Sequence, residues 1–196
     1  MTRVGFIGLG NVGGKLAGSL LRNGIDLFVR DLDRAAAQPF LDEGAHWGES
    51  PRAMAENCDM VITCLPSPAA SAAVMEADDG ILAGLSDGKI WAEMSTTDEA
   101  EVTRLGAMVA ANGAAAVDCP VSGGCHRAAT GNISILAGCD REVFDRILPV
   151  LTVLGRRVLH TGQLGTASKL KVMTNYLATA NLVTLCEALV TCKAIG

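Results

Sequence analysis

Short apolar runs alternate with stretches of helical periodicity along most of the chain. Residues 3–7 form an apolar run suited to a strand, and residues 13–21 carry Leu16, Leu20 and Leu21 on one helical face. A second strand is expected over 26–29, then a helix over 34–43 that Pro39 bends or ends. Further strands are expected over 60–65, stopped by Pro66, and over 90–93, with a helix over 98–112 behind the latter. Residues 114–118 and 133–136 read as strands, 141–154 as an amphipathic helix and 157–160 as a last short strand. This alternation predicts an α/β fold: a Rossmann-type, doubly wound, mostly parallel sheet with helices on both faces.

The pattern changes near residue 164. From 166 to 194 there is no Gly or Pro, and Leu170, Met173, Leu177, Ala180, Leu182, Leu185 and Leu189 recur at helical spacing. One helix of that length measures about 45 Å, too long to pack fully on one small domain. It is apolar on most faces and is expected to need partner helices.

Composition narrows the class. Of the 196 residues, 49% are hydrophobic and 19% charged, the balance of a globular chain. The net charge of −5 leaves no basic surplus for a nucleic-acid backbone. No uninterrupted apolar run reaches the ~18 residues of a membrane span, so none is expected. The apolar start resembles a signal-peptide core, but its glycine spacing and the lack of a cleavage pattern argue against one. Seven cysteines without a CxxC pair suit reduced thiols and a cytoplasmic setting, and no metal site is expected.

Candidate chemistry starts at Gly8-Leu9-Gly10-Asn11-Val12-Gly13, a GxGxxG motif placed after a strand and at the opening of a helix. That context belongs to a first βα turn holding a dinucleotide pyrophosphate at a helix N-terminus. Asp31 lies about 20 residues beyond Gly8, where a carboxylate bonds the adenine ribose and repels a 2′-phosphate; a strand-end Asp capping the next helix is the alternative. Arg30 should face away by strand alternation, whereas Arg34 is close enough to weaken the preference for NAD. Strand ends at Cys64–Ser67 and Ser95–Thr97 offer further contacts, although Ser95 or Thr97 could equally cap the next helix. Ser122-Gly123-Gly124 reads either as an anion-holding turn or as a generic one. Lys171 and Asn175, four apart, share a helix face with Thr174 beside them, and Lys169 points elsewhere. Desolvation among Leu170, Val172 and Met173 would lower the Lys171 pKa toward a range useful for proton transfer. Spacing alone fits a surface lysine as well.

Together, GFIGLGNVGG, CLPSP, MSTTDE, DCPVSGG, GNISILAG and GQLGTASKLKVMTN resemble, in order, the β-hydroxyacid dehydrogenases, the 3-hydroxyisobutyrate dehydrogenase family. The resemblance implies an NAD-dependent oxidoreductase acting on a small 3-hydroxy acid or the matching semialdehyde. It implies a catalytic Lys171 aided by Asn175, a substrate loop at Ser122, Gly123 and Gly124, and cofactor contacts at Leu65, Pro66 and Thr96. It also implies a dinucleotide-binding domain over 1–163, and over 164–196 a long helix opening an all-helical second domain. The chain thus looks truncated within that second domain, and homo-oligomer formation through the helix is expected. Thr174 replaces an Asn of the usual pair, and Cys125, His126 and Arg127 replace smaller residues. His126 and Arg127 suit either a second acidic group on the substrate or an exposed loop. Two rival readings are a catalytically impaired NAD-binding module and a 6-phosphogluconate-type dehydrogenase. The latter calls for more basic residues around a phosphate than the sequence displays.

Overall fold

A computed structural model describes residues 2–196. The chain opens with β1 (Arg3–Ile7), α1 (Gly13–Arg22) and β2 (Asp26–Arg30). A 3-10 turn over Arg34–Ala37 leads into α2 (Gln38–Asp42) and β3 (His46–Trp47). Next come α3 (Pro51–Asn57), β4 (Met60–Thr63), α4 (Pro68–Glu76), α5 (Ile81–Gly84), β5 (Ile90–Glu93) and α6 (Glu99–Ala111). The remainder is β6 (Ala115–Asp118), β7 (Val121–Ser122), α7 (Gly124–Ala129), β8 (Ile133–Gly138), α8 (Arg141–Leu154), β9 (Gly155–Gly162) and α9 (Thr166–Ile195).

Among the described residues the strands form one sheet in the order β3-β2-β1-β4-β5-β6-β8-β7, with β9 paired to β8. The first six of these are parallel, as the alternation predicted, and β8 runs antiparallel to β6 and β7. One face of the sheet buries Phe6, Leu16, Leu20, Ile62, Ile133 and Leu151 beneath α1 and α8. The other buries Met54, Met75, Trp91 and Leu105 beneath α3, α4 and α6. Each side chain of this size contributes roughly 1.5–3 kcal/mol when fully buried.

Several expectations need correction. The helix expected over 34–43 is split, because Pro39 sits in the first turn of α2, where its missing N–H costs nothing. Strand β4 ends at Thr63 rather than at residue 65, which frees Cys64 and Leu65 for the loop. Helices α3, α4, α5 and α7 went unread, although the starts of α3 and α4 are legible. Ser50 and Ser67 each precede a proline, and their hydroxyls accept from the amides of Ala53 and Ala70. Both helices are too short for periodicity to announce.

Helix α9 runs as expected. Ala167, Ser168 and Lys171 are its only buried residues, and every position from 172 onward is exposed. By length and composition alone it is apolar enough to cross a membrane, contrary to the expectation of no such segment. Counting uninterrupted apolar runs missed it because Thr and Asn are interspersed among its Leu, Val and Ala.

Candidate dinucleotide crevice and substrate site

The register of the parallel strands builds one edge. Arg30 pairs with Ile7, Ile7 with Thr63, Thr63 with Glu93, and Glu93 with Asp118. These five residues end their strands level with one another, so the segments after them emerge side by side. Those segments carry Gly8–Gly13, Asp31, Leu65–Pro66, Thr96 and Ser122–Gly124. Strand order reverses between β1 and β4, the position at which open α/β sheets take ligands.

Three glycines of the first turn do different work. Gly8 has φ +100°, and a Cβ there would run into the Cys64 carbonyl. At Gly13 a Cβ would strike the Gly8 carbonyl, which holds α1 tight against its strand. A Cβ on Gly10 would meet nothing within 4 Å, so this backbone faces open space. Asn11 is exposed and Val12 half-buried, while Leu9 is tucked into the core. Helix α1 has no capping side chain and no acidic residue in its first turn. The Gly14 and Lys15 amides donate to the Gly10 and Val12 carbonyls, while those of Asn11, Val12 and Gly13 have no acceptor among the described residues and remain available to an anion.

The Asp31 carboxylate is bound to that turn. Its Oδ2 accepts from the Leu9 amide at 2.6 Å and its Oδ1 from the Asp33 amide at 3.1 Å. The capping role belongs to Asp33, whose side chain accepts from Ala35. Arg30 turns away, donating to the Gly48 and Glu49 carbonyls. Its guanidinium and that of Arg34 both lie over the Trp47 ring, at 5.4 and 4.9 Å.

Beside the turn, the Leu65 amide donates to Ser95 Oγ at 2.7 Å, and the Ser95 amide donates to Glu93 Oε1 at 2.8 Å. Ser95 therefore ties two loops together. Asp98, not Ser95 or Thr97, caps α6 by accepting from Glu101. Glu93 is fully enclosed, its Oε2 has no hydrogen-bond partner among the described residues, and burial raises its pKa. Pro66 and Thr96 are exposed at the crevice edge.

At the far end the Asp118 side chain is buried. Its Oδ1 accepts from the Gly165 amide at 2.8 Å and its Oδ2 from the Ser168 amide at 2.7 Å. Helix α9 has no capping side chain of its own, so Asp118 caps it from another strand. Sequence reasoning missed this role because the partners are 47 and 50 residues away. A Cβ on Gly138 would collide with Asp118 Oδ1, so that glycine makes the room. One turn beyond Ser168 stands Lys171, 9% exposed and without a carboxylate partner among the described residues. Burial lowers its pKa. Lys169, expected to be the solvated lysine, is exposed and pairs with Glu99 at 3.1 Å. Thr174 bonds the Lys171 carbonyl rather than reaching the crevice, and Asn175 is exposed. Four residues beyond Asp118, half-buried Ser122 leads into Gly123 and Gly124, which take φ +134° and +76°.

These features define a Rossmann dinucleotide-binding domain with a buried lysine at its crevice. Residues 3–162 match the family described as the NAD binding domain of 6-phosphogluconate dehydrogenase. The chain is 33% identical over 188 residues to 2-(hydroxymethyl)glutarate dehydrogenase of Eubacterium barkeri, covering 96% of this chain and 62% of that protein. It is also 33% identical over 188 residues to mitochondrial 3-hydroxyisobutyrate dehydrogenase of Homo sapiens, covering 96% and 56%. Among solved structures, 3-hydroxyisobutyrate dehydrogenase of Mycobacterium tuberculosis superposes with a TM-score of 0.93 at 26% identity, covering 100% of this chain and 66% of that one. The chain belongs to this NAD-binding-domain family, and the relatives it resembles include hydroxyacid dehydrogenases. It spans 56–66% of the length of these relatives.

Proposed function

We propose that the protein transfers a hydride between NAD and a small 3-hydroxy acid or the matching semialdehyde, with Lys171 as general acid and base. The observation that carries this reading is a buried lysine without a carboxylate partner, held at the crevice by a remote helix cap. The uncapped α1 N-terminus and the open backbone at Gly10 fit a pyrophosphate. Leu9, Asn11, Val12, Leu65, Pro66 and Thr96 would line the rest of the cofactor. NAD, when bound, supplies the hydride acceptor.

Lys171 takes the proton of the substrate hydroxyl in oxidation and returns it in reduction. Its lowered pKa leaves more of the amine neutral, the form a base requires. Asn175 orients the hydroxyl, and Ser122 with the amides of Gly123 and Gly124 holds the carboxylate. Asp31 favours NAD, because its charge repels a 2′-phosphate. Seven free thiols support a reducing, cytoplasmic setting. The exposed apolar length of α9 supports packing against further helices, from a second domain or a second subunit.

Initial rates with NAD and NADP over a panel of 3-hydroxy acids and semialdehydes test this reading. Saturable turnover is expected, at least ~10-fold better with NAD, a gap of about 1.4 kcal/mol. NADH binding without turnover of any panel member would mark a catalytically impaired binding module instead.

A further inference from the structure

Outside the crevice, Arg127, Asn132, Ser134, Arg156 and Arg157 line a cavity of about 200 Å³. None of them belongs to the glycine turn or to α9. The three arginines form no ion pair, and none of the five side chains makes a hydrogen bond among the described residues. Of the other eight arginines, Arg3, Arg52, Arg104 and Arg141 pair with carboxylates, Arg22, Arg30 and Arg146 donate to backbone carbonyls, and Arg34 lies over the Trp47 ring. Three exposed arginines lining one surface cavity concentrate positive charge there, although this chain carries a net charge of −5 with acids to spare. Their convergence without a counter-charge marks a place where the counter-charge comes from outside.

The backbone arranges this convergence. Consecutive residues of a strand alternate faces, so Arg156 and Arg157 should diverge. The β8–β9 register shifts between Ile133 and Ser134, pairing Ile133 with Gly155 and Ser134 with Arg157. Arg156 is the extra residue of that irregularity, the kind that re-aims a side chain. The third arginine arrives from α7, where the Arg127 stem lies close over Gly123. Ser134 pairs across the antiparallel ladder with Ser122. The cavity thus adjoins the Ser122–Gly124 loop without including it. Its volume suits a small oxyanion with some of its hydration water, at about 30 Å³ per water, rather than a bulky ligand.

We propose that Arg127, Arg156 and Arg157, with Asn132 and Ser134, form a binding site for a small multiply charged oxyanion. Guanidinium groups present paired N–H donors matched to phosphate, sulfate and carboxylate oxygens, and the Ser134 hydroxyl and Asn132 amide add neutral donors. This goes beyond the dehydrogenase reading and does not depend on it. The shared chemistry has two sources, a free tetrahedral oxyanion or the second acidic group of a dicarboxylate.

Calorimetric titration of the 196-residue chain with sodium sulfate, at constant ionic strength set by chloride, tests the site. Saturable binding at one site per chain is expected. Arg157→Gln and Arg127→Gln should each weaken it about 10-fold, the cost of losing a charge-assisted contact. Arg157→Lys should fall between the parent and Arg157→Gln, since it keeps the charge but loses the fork. Arg52→Gln, on α3 and paired with Glu56, is the control and should match the parent. Displacement of sulfate by glutarate but not by butyrate identifies the dicarboxylate source; sulfate that glutarate does not displace identifies the free oxyanion. No saturable binding, or equal losses in the control and the arginine variants, overturns the proposal. NADH titration of the same samples reports separately on the crevice, so failure at one site is distinguishable from failure at the other.

Discussion

On the proposed reading, Asp31 carries two functions on one carboxylate. It would select the cofactor, and it accepts a 2.6 Å bond from the turn that holds it. Asp31→Asn keeps one acceptor oxygen but loses the charge. It should therefore narrow the NAD–NADP gap mainly by improving NADP, with a smaller loss for NAD. Direct titration of both dinucleotides measures this, and an unchanged gap would remove Asp31 from the selection. Glu93 poses a different residue-scale question. Burial raises its pKa above the ordinary carboxyl range, so the folded chain keeps a proton that the unfolded chain releases. In that window the native state binds more protons, so stability falls as pH rises from the ordinary carboxyl range through the raised pKa. Glu93→Gln resembles the neutral form and should flatten this fall. Asp118, also raised, adds a slope of the same sign, so the difference between variant and parent isolates Glu93. Urea denaturation at several pH values provides the test; identical slopes would mean that Glu93 is already ionised in the folded chain.

Among the elements, α9 depends most on distant residues. Its first turn is held by two bonds to the buried Asp118 carboxylate, and hydrogen bonds to charged groups contribute roughly 1.5–3 kcal/mol each. Asp118→Ala should cost about 3 kcal/mol or more and loosen the turn that carries Lys171. Lysine labelling followed by mass spectrometry reads the effect. In the parent, Lys171 should be shielded relative to exposed Lys169; in Asp118→Ala the two should converge. In the active protein, Lys171→Ala should lower kcat by about 100-fold or more while barely changing NADH affinity. Lys169→Ala, which removes only an exposed pair with Glu99, should be near neutral. Equal loss in both lysine variants would refute the assignment of helix faces. The contrast between buried Lys171 and exposed Lys169 was legible because residues two apart on a helix point in different directions. The Asp118 cap was not, since no periodicity links a strand end to a helix almost fifty residues later.

For the whole molecule, the dominant feature is an imbalance of burial. Met173, Tyr176, Leu177, Leu182, Leu185, Leu189 and Val190 are each more than half exposed on one helix. Apolar surface of that extent seeks a partner. The 196-residue chain should therefore self-associate in solution through α9 while still binding NADH, because the turn, Asp31 and the Leu65–Thr96 contacts all precede that helix. Light scattering combined with an NADH titration examines both parts. A monodisperse monomer would show that α9 folds back onto the sheet.

Local chemistry is what the sequence by itself determined. GxGxxG after an apolar run identified the cofactor turn, alternation identified the parallel sheet, and a Gly- and Pro-free stretch identified the long helix. Each of these signals lies within a few turns of chain, where steric and hydrogen-bonding preferences act. Tertiary structure alone decided the level strand ends that gather five loops into one crevice. It alone placed the Asp118 cap on α9, the enclosed Glu93 beneath Ser95, and three arginines around one cavity. The sequence reading found too few basic residues for a phosphate because it looked along the chain, whereas Arg127 of α7 and Arg157 of β9 line one cavity only in the fold. Such contacts depend on register and on the β8–β9 irregularity, and both are set by the packing of the whole sheet rather than by any one segment.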